Sequence, residues 1–139
     1  MRRRTLLTSL LLATTLLLAA CSGGDGTPSA DDLDGSSYVA TSAEGEELVP
    51  DVEVRLTFAD GFLNISAGCN TINGEYQVED GTIGWSGEPF GTLIGCEPPL
   101  QAQDEWLTAL LADGAEITLD GEALTLTGES VTLELEQSE

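Results

Sequence analysis

Three cysteines, Cys21, Cys69 and Cys96, are the residues of this 139-residue chain best suited to chemistry, and it contains no histidine. Around Cys69 the stretch Ser66–Tyr76 reads SAGCNTINGEY, rich in glycine and asparagine. Each use of such a thiol has requirements. Structural zinc takes four Cys or His ligands, and only Cys69 and Cys96 lie in the body of the chain. A nucleophilic thiol needs a cationic neighbour or a suitably aimed helix terminus, and there is no His to act as base. No Cys-x-x-Cys pair occurs. Without His there is no Ser-His or Cys-His pair, and without Lys no amine nucleophile. Neither a glycine-rich phosphate loop nor a His-Glu metal motif appears. Paired carboxylates serve glycosidases, but among 25 acids chance pairs are inevitable and carry no signal. The residues therefore supply no catalytic set, no metal site and no cofactor motif, and the expectation is a protein that is not an enzyme.

The beginning of the chain is more specific. Arg2, Arg3 and Arg4 form a basic head before the uncharged apolar stretch from Thr5 to Ala20. That stretch is short for a spanning helix, which needs about 20 apolar residues. A basic head, an apolar middle and small residues at the end describe a secretory signal. Leu18-Ala19-Ala20-Cys21 resembles the lipobox of bacterial lipoproteins, in which the cysteine sulfur takes a diacylglyceryl group before cleavage. This resemblance implies a signal peptide over 1–20, lipid (palmitate-type acyl) attachment at Cys21, and residence on the extracytoplasmic face of the cell membrane. Two acyl chains give stable anchoring where one is marginal. Residues 21–32, SGGDGTPSADD after Cys21, have the Gly, Ser and Pro content of a flexible tether. Residues 33–136 then have the size of one ordinary domain.

Charge narrows the partners. All 25 acids but only one base, Arg55, lie beyond residue 20, a net charge of −24 for that part. Nucleic-acid binding depends on Lys and Arg neutralising phosphates, so no nucleic-acid partner is expected. The same acidity gives a solvated surface, in keeping with a monomer, or attracts cations. ADDLDG at Ala30–Gly35 has a superficial likeness to a calcium loop, but Ala30 and Thr41 occupy positions that require acids.

Alternation runs through most of the domain. In VEVRLTF, Val52, Val54, Leu56 and Phe58 share one face, and the same period of two recurs in EYQVE, TIGW, AEITLD and VTLELE. Asp60-Gly61, Asp80-Gly81 and Asp120-Gly121 fall between these runs and suit tight hairpin turns. PPLQAQDEWLTALLADG breaks the pattern: Trp106, Leu107, Leu110 and Leu111 form one helical stripe. Pro98 and Pro99 suit its entry, Asp104 and Glu105 an early turn, and Gly114 its end. The expected fold is mainly β with a helix (α+β): a small curved antiparallel sheet, or a partly closed barrel of about eight strands, with one α-helix packed on it. In GWSGEPFG, Trp85 and Phe90 are candidates for an exposed contact loop toward a sugar or peptide. The alternative is that both rings fill the core.

With Cys21 lipidated, Cys69 and Cys96 remain as a pair in an exported chain, where oxidising conditions favour a disulfide. Unpaired buried thiols are the alternative. Such a bridge closes a loop of about 28 residues, worth roughly 3.5 kcal/mol in the chain-entropy model. Gly68 and Gly74 permit unusual backbone angles, and Asn73-Gly74 reads as a turn, so this stretch is expected to be a pinned loop.

Gly68-Cys69-Asn70, then Gly74 and Tyr76, then Thr92 four residues before Cys96, followed by a helix carrying Glu105, resembles the META domain, also called HslJ-like. Leu33-x-Gly35 with Tyr38 is similar to that family's opening motif, and LTLTG and VTLEL to its closing hairpin. Tyr38 and Ile94 depart from it, standing where Trp and Met are common. The resemblance implies a small β-rich domain with a helix, found in envelope lipoproteins and linked to stress tolerance. It brings no catalytic residues. The functional expectation is a non-enzymatic, membrane-anchored lipoprotein that binds or stabilises an unidentified envelope protein or polymer. A cation-binding or purely architectural surface protein is the alternative.

Overall fold

The computed structural model describes residues 25–139; the signal segment and Cys21 lie outside the described residues. In chain order the elements are β1 (Asp25–Gly26), α1 (Ala30–Leu33), β2 (Ser37–Glu44), β3 (Arg55–Ala59), β4 (Phe62–Ser66) and β5 (Thr71–Glu79). They continue with β6 (Thr82–Trp85), β7 (Phe90–Gly91), α2 (Pro98–Asp113), β8 (Ala115–Asp120), β9 (Ala123–Thr127) and β10 (Thr132–Ser138).

Tight turns build the hairpins. Asp60 and Gly61 (φ 54° and 79°) join β3 to β4, and Asp80 and Gly81 (φ 49° and 80°) join β5 to β6. Both central residues have positive φ, the geometry whose twist matches the flanking strands. The third turn sits one residue later than the sequence suggests. Asp120 still pairs with Ala123, so Gly121 (φ 59°) and Glu122 occupy the bend.

Eight strands close into an antiparallel barrel in the order β8-β6-β5-β4-β3-β2-β10-β9, with β9 returning to β8. The expected curved sheet or partly closed barrel of about eight strands with one packed helix is thus present, as a barrel closed all round. Two pairings of strands distant in sequence make it so: β2 with β10, from Ser37↔Ser138 to Thr132↔Glu44, and β6 with β8. Closure removes the exposed edges that an open sheet would present. A register shift between Glu134 and Leu135 bends β10 against β2. The two short strands extend this frame, β1 beside β8 and β7 beside β5.

Alternate strand residues fill the interior. Leu56, Phe58, Leu63, Ile65, Ile83, Ile117, Leu124, Leu126 and Leu133 are fully buried. Phe58 lies between Tyr38 and Tyr76, edge-to-face with each, at centroid distances of 6.0 and 5.1 Å. Such arrangements suit the ring quadrupoles.

The two ends of the barrel are covered differently. The turns 45–54, 67–70 and 128–131 gather at one end, and α2 lies across it. Leu100 of α2 faces Gly68, and Leu110 faces Gly128. Leu107, Leu110 and Leu111 are buried as the helical stripe predicts, while Trp106 is half-buried. Pro98 and Pro99 start the helix and Gly114 (φ 83°) ends it.

The opposite end corrects the expected tether. Residues 25–32 dock on the barrel: Asp25 and Gly26 pair with Asp120 and Leu119, and Pro28 is buried. The Asp32 carboxylate accepts hydrogen bonds from the Ser29 N–H (2.8 Å) and hydroxyl (2.7 Å), starting α1. Those bonds hold its pKa below the ordinary carboxylate value, the side-chain bond most of all. The Tyr76 hydroxyl donates to the Ala30 carbonyl at 3.1 Å. ADDLDG is therefore a helical turn ending at Gly35 (φ 79°), with Leu33 driven into the core. Backbone pairing with β8 and the burial of Pro28 and Leu33 hold this polar segment in place.

Candidate functional site

The GCN loop is held from three sides. Cys69 and Cys96 form a disulfide with Cα atoms 6.0 Å apart, tying the β4–β5 turn to the start of α2. Gly68 (φ 89°) is required because a Cβ there would collide with Val52. Asn70 makes the remaining fastenings. Its backbone N–H and its Nδ2 both donate to Asp104 Oδ2, each at 3.0 Å. Its Oδ1 accepts from the Thr92 hydroxyl (2.9 Å) and from the Ile94 N–H (2.7 Å). Thr92 closes the circuit: its Oγ1 accepts from the Thr71 N–H at 3.1 Å, and its own N–H donates to the Thr71 carbonyl at 3.2 Å.

Asp104 therefore does not serve an early helical turn. It lies beyond the first turn of α2, 93% removed from solvent, and fixes Asn70 across 34 residues of sequence. Gln103 beside it ties the same turn to the loop 45–54. Its Oε1 accepts from the Val49 N–H (2.8 Å) and its Nε2 donates to the Ala67 carbonyl (2.9 Å). Sequence reasoning missed this pair. The available signal was two polar residues on the apolar stripe, three and four positions before Leu107. Glu105 turns outward and accepts from Gln101 at 3.2 Å.

The family-motif positions divide between the loop and the frame. Asn73-Gly74 is not a turn; both lie within β5, where Asn73 Oδ1 accepts from Asn64 at 2.6 Å. Gly74 is needed for another reason: a Cβ there would stand 2.7 Å from the Trp85 ring. Trp85 lies over that glycine, half-buried, and its Nε1–H donates to the Thr108 carbonyl at 3.3 Å. It clamps β6 to α2. Tyr76 is in the core, where burial first, and then Asp34 and Asp31, push its pKa upward.

Phe90 is different: it is 64% exposed. Leu93 and Ile94, which the sequence reading did not single out as contacts, are 100% and 58% exposed. The structure thus separates Trp85 from Phe90, and the exposed apolar side chains run instead from Phe90 to Ile94. Between this run and α2 lies a largely apolar groove of about 440 Å³, lined by Ile72, Pro89, Phe90, Leu93, Ala109 and Asp104 among others. Its volume is within the usual range for small-molecule sites.

A small closed β-barrel, covered at one end by a helix and carrying a disulfide-pinned Gly-Cys-Asn loop, is the class of protein these features define. The META domain family model matches residues 31–139, and the chain belongs to that family. Two solved structures share the fold. One, determined by NMR, has a TM-score of 0.67 at 23% identity, over 78% of this chain and 94% of its own. The other, an NMR structure of a protein from Burkholderia xenovorans, has a TM-score of 0.66 at 20% identity, over 98% of this chain and 99% of its own. No curated protein sequence matches at a significant level.

Proposed function

We propose that this META-domain protein is a non-enzymatic lipoprotein, anchored through Cys21 to the extracytoplasmic face of the cell membrane. In this reading it holds or stabilises an envelope component, in service of stress tolerance. The lipobox-like segment supports the anchor. Incorporation of Cys69 and Cys96 into a disulfide leaves no free thiol beyond Cys21, which supports a non-catalytic role.

One observation carries the binding reading: Phe90, Leu93 and Ile94 stand in water together on a segment fastened through Thr92, Ile94 and Cys96. Exposed apolar side chains in a rigid frame present surface to a partner at little ordering cost. The test is capture from an envelope extract with the full chain, its Leu93→Ser/Ile94→Ser variant, and Phe62→Ser as control. Phe62 is also an exposed apolar residue, at 44%, but lies on the β3–β4 hairpin. The reading requires that the double variant lose partners that the control keeps; identical captured sets would refute it. Cys21→Ser should abolish palmitate labelling and release the protein from membranes.

A further inference from the structure

The groove beside α2 has an apolar wall, and behind it Asp104 carries one unsatisfied polar atom sealed from solvent. Asp104 is 93% buried, and its Oδ1 has no hydrogen-bond partner among the described residues. Oδ2 is fully engaged by Asn70. Asp104 lines both this groove and the adjoining recess toward Gly95 and Gln101, as do Asn70, Leu93 and Glu105. A buried carboxylate oxygen without a donor is costly, so its retention calls for a group that supplies one.

Among the described residues none supplies a cation for it. Arg55 is the only base beyond residue 20 and is committed elsewhere, to Glu53 at 2.9 Å and to the Ser138 hydroxyl at 2.6 Å. A hard metal ion is a poor fit, because calcium takes six to eight oxygen ligands. The described residues hold no group of three acidic, Cys or His side chains able to bind one. The rest of the wall, Ile72, Pro89, Phe90, Leu93 and Ala109, favours a hydrocarbon body. Glu105 at the rim and the exposed Phe90 ring both attract positive charge, the ring through its negative face.

We propose that this groove binds an organic cation, a primary ammonium carried on an apolar body, which displaces the side chains sealing Asp104 Oδ1 to donate to it while the body packs between Phe90, Leu93 and α2. This site specifies the chemistry of the contact surface proposed above and rests on that reading. It also gives Asn70 a further role: by holding Oδ2, it leaves Oδ1 for the ligand.

The test titrates n-octylammonium into the full chain with its disulfide intact, followed by amide NMR, with n-octanol and octanoate as neutral and anionic comparators. The ammonium should bind about tenfold more tightly than the alcohol, as a hydrogen bond to a buried charge implies. Octanoate should not bind. Shifts should centre on the Asn70 side-chain amide, Ile94 and Thr108. Asp104→Asn should erase the tenfold preference, since an amide nitrogen then competes for the donor position. Ala109→Phe, at an exposed helix position, should fill the groove and abolish binding of both amine and alcohol. Equal affinity for amine and alcohol would overturn the cation assignment, and so would a preference that survives in Asp104→Asn. If Asp104→Asn does not fold, unchanged amine binding in Ala109→Phe overturns the site. None of these results alters the envelope-capture comparison of Leu93→Ser/Ile94→Ser, which separates failure of the ligand class from failure of the contact surface.

Discussion

Replacing Asn70 with alanine should be among the most damaging polar substitutions in this domain, and the structure sets its size. The change removes the Nδ2 bond to the Asp104 carboxylate and both bonds to Oδ1, from Thr92 Oγ1 and the Ile94 N–H. A neutral hydrogen bond contributes about 1 kcal/mol and one to a charged group about 1.5–3. The three together come to roughly 4 kcal/mol on those values. Ile94 and Thr92 are exposed, so water replaces part of their loss, which reduces the expected cost to about 2–3 kcal/mol. Against a total of about 5–15 kcal/mol for an ordinary domain this is a large fraction. Urea unfolding followed by tryptophan fluorescence measures it, read as a lower midpoint at unchanged slope. Asn70→Asp should be at least as harmful, because it sets a second carboxylate against Asp104. A loss below about 0.5 kcal/mol, the range of surface substitutions, would refute the claim that Asn70 organises this end of the barrel.

Removing the disulfide with Cys69→Ala/Cys96→Ala should cost about 3.5 kcal/mol for its 27-residue sequence separation, measured by the same unfolding; an unchanged midpoint would count against the staple. Stability should fall at both pH extremes, followed as Tm against pH. The lowered pKa of Asp32 means its contribution is present above the ordinary carboxylate value near 3.9 and is lost as pH falls through the folded value, so Asp32→Asn should flatten the acid limb. Burial raises the pKa values of Tyr38 and Tyr76, whose contribution holds below about pH 10 and is lost as pH rises through the folded values; Tyr76→Phe should flatten the alkaline limb. Gly74→Ala should displace the Trp85 ring, shift its fluorescence and cost about 1–3 kcal/mol, the usual range for overpacking.

Much of the barrel was legible because its rules are local. Alternation fixes which residues of VTLELE face inward, and Asp-Gly fits positive φ at two of three bends whatever surrounds them. The misread elements depend on distant partners. Asn73-Gly74 has the composition of a turn, yet Gly74 is small because the Trp85 ring occupies the space above it. Barrel closure required Ser37 to meet Ser138, which no short window reveals. The docked segment 25–32 is polar and small-residued like a linker, but backbone pairing with Leu119 and Asp120 needs no apolar side chains. The candidate site was half visible. Of the motif residues Gly68, Cys69, Asn70 and Thr92, the last two line the groove, and Gly68 and Cys69 shape the turn behind it. In the sequence Asp104 reads as a helix-terminus acid, because its role exists only once the loop at Asn70 is folded against α2. Leu93 and Ile94 gave no periodic signal, and their exposure follows from the anchoring of Thr92 and Cys96 on either side.

In the proposed function the Phe90–Ile94 segment is the face that meets a partner. Photo-crosslinking in intact cells tests it most directly, with the reactive side chain placed at Leu93 or, as control, at Phe62. A discrete adduct should form from position 93 and not from 62, and should disappear when Cys69 and Cys96 are replaced. The same adducts from both positions, or adducts that persist without the disulfide, would contradict it.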